Sequence, residues 1–147
     1  MIIAVVDGMG GSIGTQIVLQ LRQSLPEDIE IVALGTNAIA TGSMMKAKAT
    51  RGATGENAVV VSIGEADVIM GSLSIVVPNS MMGEVTATIA TAVASARGRK
   101  VLLPISNPPL EILGTGRKPL QALIKEAIEL IGGSYDLPVR PQEGNDV

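Results

Sequence analysis

The sequence predicts an α/β fold, a mostly parallel sheet with helices on both faces in three layers. Three observations carry this. Strand-length apolar runs recur along the chain without polar alternation, as strands buried on both faces require. Helical patterns follow the first two of them. A glycine-rich turn joins the first run to the first helix, opening a βαβ unit, whose crossover is right-handed almost without exception.

Ile2–Val6 reads as a buried strand. Ile13, Ile17, Leu21 and Leu25 share one helical face, giving a helix from Ser12 to Leu25 that Pro26 ends. Ile29–Leu34 is the second strand, and Gly35-Thr36-Asn37 ends it. Asn37 caps a helix reaching Ala49, and Gly52–Asn57 is a loop by composition. Val59–Ile63 and Val68–Met70 both read as strands, with only Gly64–Asp67 between them. A parallel crossover takes about a dozen residues, so either these two form an antiparallel hairpin or one lies outside the sheet.

Leu73–Val77 is a further apolar run, stopped by Pro78. Glu84–Ala96 reads as a helix with an acidic residue in its first turn. Val101–Ile105 is a strand and Leu110–Leu113 a short edge strand. Pro119–Ile131 is a helix with Pro at its start, an apolar stripe of Leu120, Leu123, Ile124, Ala127, Ile128 and Ile131, and Gly132-Gly133 at its end. Residues 1–135 read as one domain. Residues 136–147, polar and holding two prolines, read as a mobile tail.

Composition narrows the function. Tyr135 is the sole aromatic residue, so the core is built from Val, Ile, Leu, Ala and Met. Without Cys there is no thiol nucleophile, and without His the commonest general base and metal ligand is missing; no metal site is expected. Net charge is −3 and the cations form no dense block, which argues against a nucleic-acid partner. No apolar run reaches the roughly 18 residues of a membrane span, and no basic flank marks a signal peptide. The expectation is a cytoplasmic protein without a membrane partner.

The segment Gly8-Met9-Gly10-Gly11-Ser12-Ile13-Gly14 stands between strand and helix. In that context a glycine loop binds phosphate, because amides at the helix N-terminus point at an anion. Strict G-x-G-x-x-G spacing fails at Ile13. Gly8, Gly11 and Gly14 fit G-x-x-G-x-x-G instead, which resembles the Rossmann-like loop of extended short-chain dehydrogenases and related nicotinamide-dependent reductases. That resemblance implies that Gly8 makes the turn, Gly11 admits a pyrophosphate and Gly14 lets the helix pack on the strand. Ser12 then donates to a phosphate, and Gly10 and Ile13 complete the loop.

The acidic residue that usually follows the second strand to hold a ribose hydroxyl is missing. Thr36 and Asn37 stand there, without an Arg for a 2′-phosphate. Asn37 serves equally as ribose ligand or helix cap. The cofactor expectation is NAD(P) or another nucleotide. Further polar clusters at strand ends are Asn79-Ser80 and Ser106-Asn107. Asp7 reads as cap of the glycine turn or as ligand to ribose, magnesium or a proton. Glu84 and Glu56 are the carboxylates with a general-base reading, and Lys46, Lys48 and Arg51 read as cations at a helix end. Met44-Met45 and Met81-Met82 flank the cleft and suit core or dimer contact.

Four stretches occur in order: Asp7–Gly14, Ala33–Thr41, Gly52–Asn57 and Asn79–Glu84. Together they resemble a family of short bacterial proteins catalogued as a domain of unknown function, over roughly residues 1–114. The resemblance brings no activity or catalytic residue with it. It implies a complete small protein, and it ranks the Gly52–Asn57 and Asn79–Glu84 segments beside the glycine loop. The leading function is a binding or sensor module for a nucleotide or phosphorylated small molecule, as a homodimer. The alternatives are a minimal NAD(P)-dependent oxidoreductase with a site shared between protomers, and a structural or partner-binding subunit.

Overall fold

A computed structural model describes residues 1–105 and 110–142. Among them, strands β1 (Ile2–Asp7), β2 (Glu30–Gly35), β3 (Arg51–Thr54), β4 (Val68–Ser72) and β5 (Arg99–Leu103) alternate with helices. The helices are α1 (Ser12–Ser24), α2 (Ala38–Lys46), α3 (Glu56–Ser62), α4 (Ala87–Ser95) and α5 (Leu120–Ser134). The strands form one sheet in the order β3-β2-β1-β4-β5. Every pairing in it is parallel.

Alternation along β1 explains the layering. Ile3 and Val5 face a core shared with Ile17 and Leu21 of α1, Met44 of α2, and Ile124 and Ile128 of α5. Ala4 and Val6 face the opposite core, with Val59 of α3 and Ile89 and Val93 of α4. Both faces are covered, which is why the strands carry apolar residues throughout. From β1 the chain winds outward through β2 to β3. It then returns to the other side of β1 for β4 and β5. The reversal leaves a crevice at the carboxyl ends of β1 and β4, the topological switch point where ligands of open α/β sheets collect.

The antiparallel pair is not seen among the described residues. The Val59–Ile63 run is helical in α3, with Val59 and Ile63 in the core and Val60 and Val61 exposed. Four-residue spacing toward the core overrides the β preference of three consecutive valines. Residues 55–67 form the crossover from β3 to β4, which satisfies the length a parallel connection needs. The Gly52–Asn57 loop instead holds most of β3, a short, largely exposed edge strand with little apolar signal.

Other boundaries move for local reasons. Leu73–Val76 is a single turn of tight helix rather than strand. Glu84 precedes α4, whose cap is Thr86, accepting from the Ile89 N–H at 3.1 Å. Leu110–Leu113 forms no strand. Helix α5 continues through Gly132-Gly133 to Ser134. Beyond it, residues 136–142 run back along α1, where the Arg140 N–H donates to Ser24 O at 2.8 Å and Leu137 packs against the core. The remainder of the expected tail, 143–147, and the Ser106–Pro109 cluster lie outside the described residues.

Candidate ligand-binding site

A cleft of about 630 Å³ opens at the switch point, within the range of small-molecule sites. Its floor is the glycine loop and the start of α1; its walls are Ser72, Ser74 and the Pro78–Met82 loop after β4, with Ile105 after β5. Of the residues singled out by sequence, Gly8, Gly10, Gly11, Ser12, Ile13, Asn79 and Ser80 meet in this lining. Gly14 lies beneath it, and Thr36 and Asn37 stand outside it.

Asp7 organises the floor. Its Oδ1 accepts from the Gly8 N–H at 2.8 Å and its Oδ2 from the Gly14 N–H at 2.7 Å. The carboxylate thus ties the end of β1 across the turn into α1. Burial pushes its pKa up, the two N–H donors pull it back, and the charge of Glu84 adds a smaller upward push. Gly11 closes the turn in the left-handed region, at φ 74, with its N–H on Gly8 O at 2.9 Å. A methyl group on Gly14 would lie 2.6 Å from Met44 Sδ and 2.9 Å from Asp7 Cβ, so glycine allows α1 to sit against β1 and α2.

The amides at the start of α1 are unequally engaged. Gly14 N–H serves Asp7, and Thr15 N–H serves Gly11 O at 2.8 Å. The amides of Ser12 and Ile13 have no protein acceptor among the described residues. The helix N-terminus adds roughly half a positive charge there. Facing it is Ser72 at the end of β4, 3% exposed and part of the cleft wall. Its Oγ is buried without a hydrogen-bond partner among the described residues. A buried hydroxyl left unpaired costs about 1–3 kcal/mol.

The Pro78–Val85 loop is strained in the same place. Among the described residues six non-glycine residues have positive φ, and Met9, Asn79, Met81 and Met82 of these line the cleft. Such residues persist only where surrounding bonds hold them, and they concentrate at ligand clamps. Here the bonds are internal. Asn79 N–H donates to Val85 O at 2.7 Å, and the Ser80 hydroxyl is directed at Ser74 O and Val77 O at 2.5 and 2.8 Å. That hydroxyl is spent on shaping the loop.

Glu84 then latches this loop to the other side of the cleft. Its Oε1 accepts from Thr36 Oγ1 at 2.7 Å, Asn37 Nδ2 at 2.7 Å and the Met9 N–H at 3.0 Å. Asn37 meanwhile caps α2, accepting from the Ala40 N–H at 2.9 Å. Thr36 and Asn37, both read as cofactor-binding, are thus tied to an acidic residue that sequence order placed in a helix turn. These donors, Thr36 first, hold the Glu84 carboxyl below the usual carboxylate range, and partial burial opposes them. Glu84 consequently adds stability that is complete above its ordinary value of 4.5 and is lost as pH falls through the lower folded value. Glu84→Gln should lower stability near neutral pH by about 1 kcal/mol, the difference between charge-assisted and neutral hydrogen bonds, and flatten the acid-side decline. Thermal unfolding of both proteins between about pH 3 and pH 7 checks this, and parallel curves would contradict it.

The other candidates lie elsewhere. Arg51 starts β3 at the opposite end of the sheet, paired with Glu30 and, at 3.0 Å, with Glu65. Lys46 and Lys48 lie at the C-terminal end of α2. Glu56 accepts from Thr86 Oγ1 at 2.6 Å. Asp67 Oδ2 accepts from the Ile2 N–H at 2.7 Å, clamping the start of β1. Among the described residues no group of His, Cys, Asp and Glu suits a metal ion, and no helix is long and apolar enough to cross a membrane. Ser72 escaped sequence reasoning because Gly71-Ser72 prolongs an apolar run with small residues that carry no motif.

Fold and site define a doubly wound α/β domain with a ligand-sized cleft at its switch point. The chain belongs to the family described as a domain of unknown function (DUF3842), whose model matches residues 2–135. That is a longer span than the four stretches suggested. No match among curated proteins was found. Among solved structures it is similar to a dodecameric FMN-dependent Ubix-like decarboxylase from Escherichia coli O157:H7, at 13% identity and a TM-score of 0.51, over 98% of this chain and 100% of that one. At this identity the likeness establishes the shared α/β fold.

Proposed function

We propose that the protein is a binding module for a phosphorylated small molecule of the nucleotide class, seated in the cleft between the ends of β1 and β4. The observation that carries this reading is the buried Ser72 hydroxyl opposite the Ser12 and Ile13 amides, all three without a hydrogen-bond partner among the described residues. Together with the Ser12 hydroxyl they offer a phosphoryl group several neutral donors in a helix dipole. No Lys or Arg stands among the described lining residues, so the attraction is short-ranged. Met9, Met81 and Met82 offer polarizable sulfur to a flat ring.

Flavin mononucleotide is the first ligand to try, because the solved structure of similar fold is FMN-dependent. Its phosphate suits the α1 amides and Ser72, and its ring suits the methionines. A bound flavin would itself supply the redox chemistry, while this chain binds and orients it. Asp7 is the one titratable side chain among the described lining residues, and both its oxygens hold the turn. That favours binding over acid–base catalysis by the chain. Assembly as a homodimer belongs to the same reading, supported by the exposed apolar residues Leu110, Ile112, Leu113 and Leu130, the last beside edge strand β5.

Native mass spectrometry of freshly purified protein should show a retained small molecule and a dimer mass. Thermal unfolding with FMN, AMP and inorganic phosphate tests the site directly. A ligand at about 100 times its Kd adds about 2.7 kcal/mol, a shift of several degrees. Protein that is ligand-free on purification and shifted by none of the three would sink the reading.

A further inference from the structure

Resting on that reading, we infer that the cleft selects a mononucleotide, one terminal phosphoryl group on a single ring-bearing body, and rejects dinucleotides. A dinucleotide domain lays its pyrophosphate across the glycine turn and one ribose over the end of β2, where an acidic residue receives it. In this chain that second half-site is filled by protein. Glu84 stands where the acid belongs, but its Oε1 already accepts three donors, from Thr36, Asn37 and Met9. The side-chain donors of Thr36 and Asn37 are thereby spent on Glu84 and not open to a ribose.

The passage from the turn to β2 is closed as well. A single methyl group on Gly8 would come within 2.6 Å of Thr36 Oγ1, 2.8 Å of Met81 Sδ and 3.3 Å of Glu84 Oε1. Thr36, Met81 and Glu84 thus crowd Gly8, and Asn37 bridges Glu84 to the Met9 carbonyl above it, across the path a sugar would take. The open cleft lies between the glycine loop, Ser72, Ser74 and the Pro78–Met82 loop. A ligand anchored by its phosphate at Ser12 and Ile13 extends within it, its ring against the methionines. A second nucleoside would have to cross the Glu84 latch to reach the end of β2.

Isothermal titration of the wild-type chain with FMN, AMP, FAD, NAD and NADP tests this. The expected result is binding of FMN or AMP at least tenfold tighter than of any dinucleotide. FAD against FMN is the sharpest pair, since both carry the same flavin. A dinucleotide binding as tightly as the better mononucleotide would overturn the inference while leaving phosphate binding in place. Binding of none of the five would overturn the binding reading itself. Glu84→Ala supplies a second measure, expected to narrow the FMN-to-FAD ratio. An unchanged ratio in a variant with intact cooperative unfolding would count against closure by Glu84.

Discussion

Gly11→Ala should cost about 3 kcal/mol and lower Tm by about 10 °C, as two separate penalties combine. At φ 74 an L-residue with a Cβ is strained by about 1–2 kcal/mol. The new methyl would also stand 2.7 Å from Ala40 Cα and 3.0 Å from Ala40 O. These are backbone atoms in the first turns of α2 and cannot rotate away. Relief requires α2 to move off α1, opening the Met44 packing beneath. Gly10→Ala is the matched control: no heavy atom lies within 4 Å of the place its methyl group would take and its φ is ordinary, so stability should change by less than about 0.5 kcal/mol. Differential scanning calorimetry on the pair decides the matter. Equal Tm values would mean that the turn is not built as described.

Ser72→Ala should move stability and binding in opposite directions. Deleting an unpaired buried hydroxyl removes a desolvation penalty, so the ligand-free variant should be more stable by about 1 kcal/mol. The same deletion removes a donor to the phosphoryl group, and FMN or AMP should bind tenfold to a hundredfold more weakly, about 1.4 to 2.7 kcal/mol. Sites that sacrifice stability for function behave in this way. Chemical denaturation without ligand and titration with it read the two effects independently. A less stable variant that binds as well as the wild type would reduce Ser72 to a packing residue.

The legible and illegible parts of this molecule differ in how far apart their partners lie. The β1–glycine turn–α1 unit was readable because its determinants are neighbours: apolar run, Asp7, three glycines and a helical stripe, all close together in the chain. The site was only half readable. Of the residues read as cofactor-binding, Gly8, Gly10, Gly11, Ser12, Ile13, Asn79 and Ser80 line one cleft. Thr36 and Asn37 were read as cofactor-binding, Asn37 equally as the helix cap it is, and their side chains are tied to a carboxylate 48 and 47 positions away. No local rule could have matched Glu84 to them.

By itself the sequence determined the layered parallel architecture, the position of the glycine turn between β1 and α1 and the lack of His and Cys side chains. These depend on composition and on periodicities of a few residues. Tertiary structure alone decided that the triple-valine run is helix, that exposed Arg51–Thr54 is an edge strand, that Glu84 ties down Thr36 and Asn37 after β2 and that Ser72 has no partner among the described residues. Each of these is settled by what the remainder of the chain brings alongside. Burial, strand pairing and hydrogen-bond satisfaction are properties of the assembled neighbours, and a side chain carries no record of them in its adjacent residues.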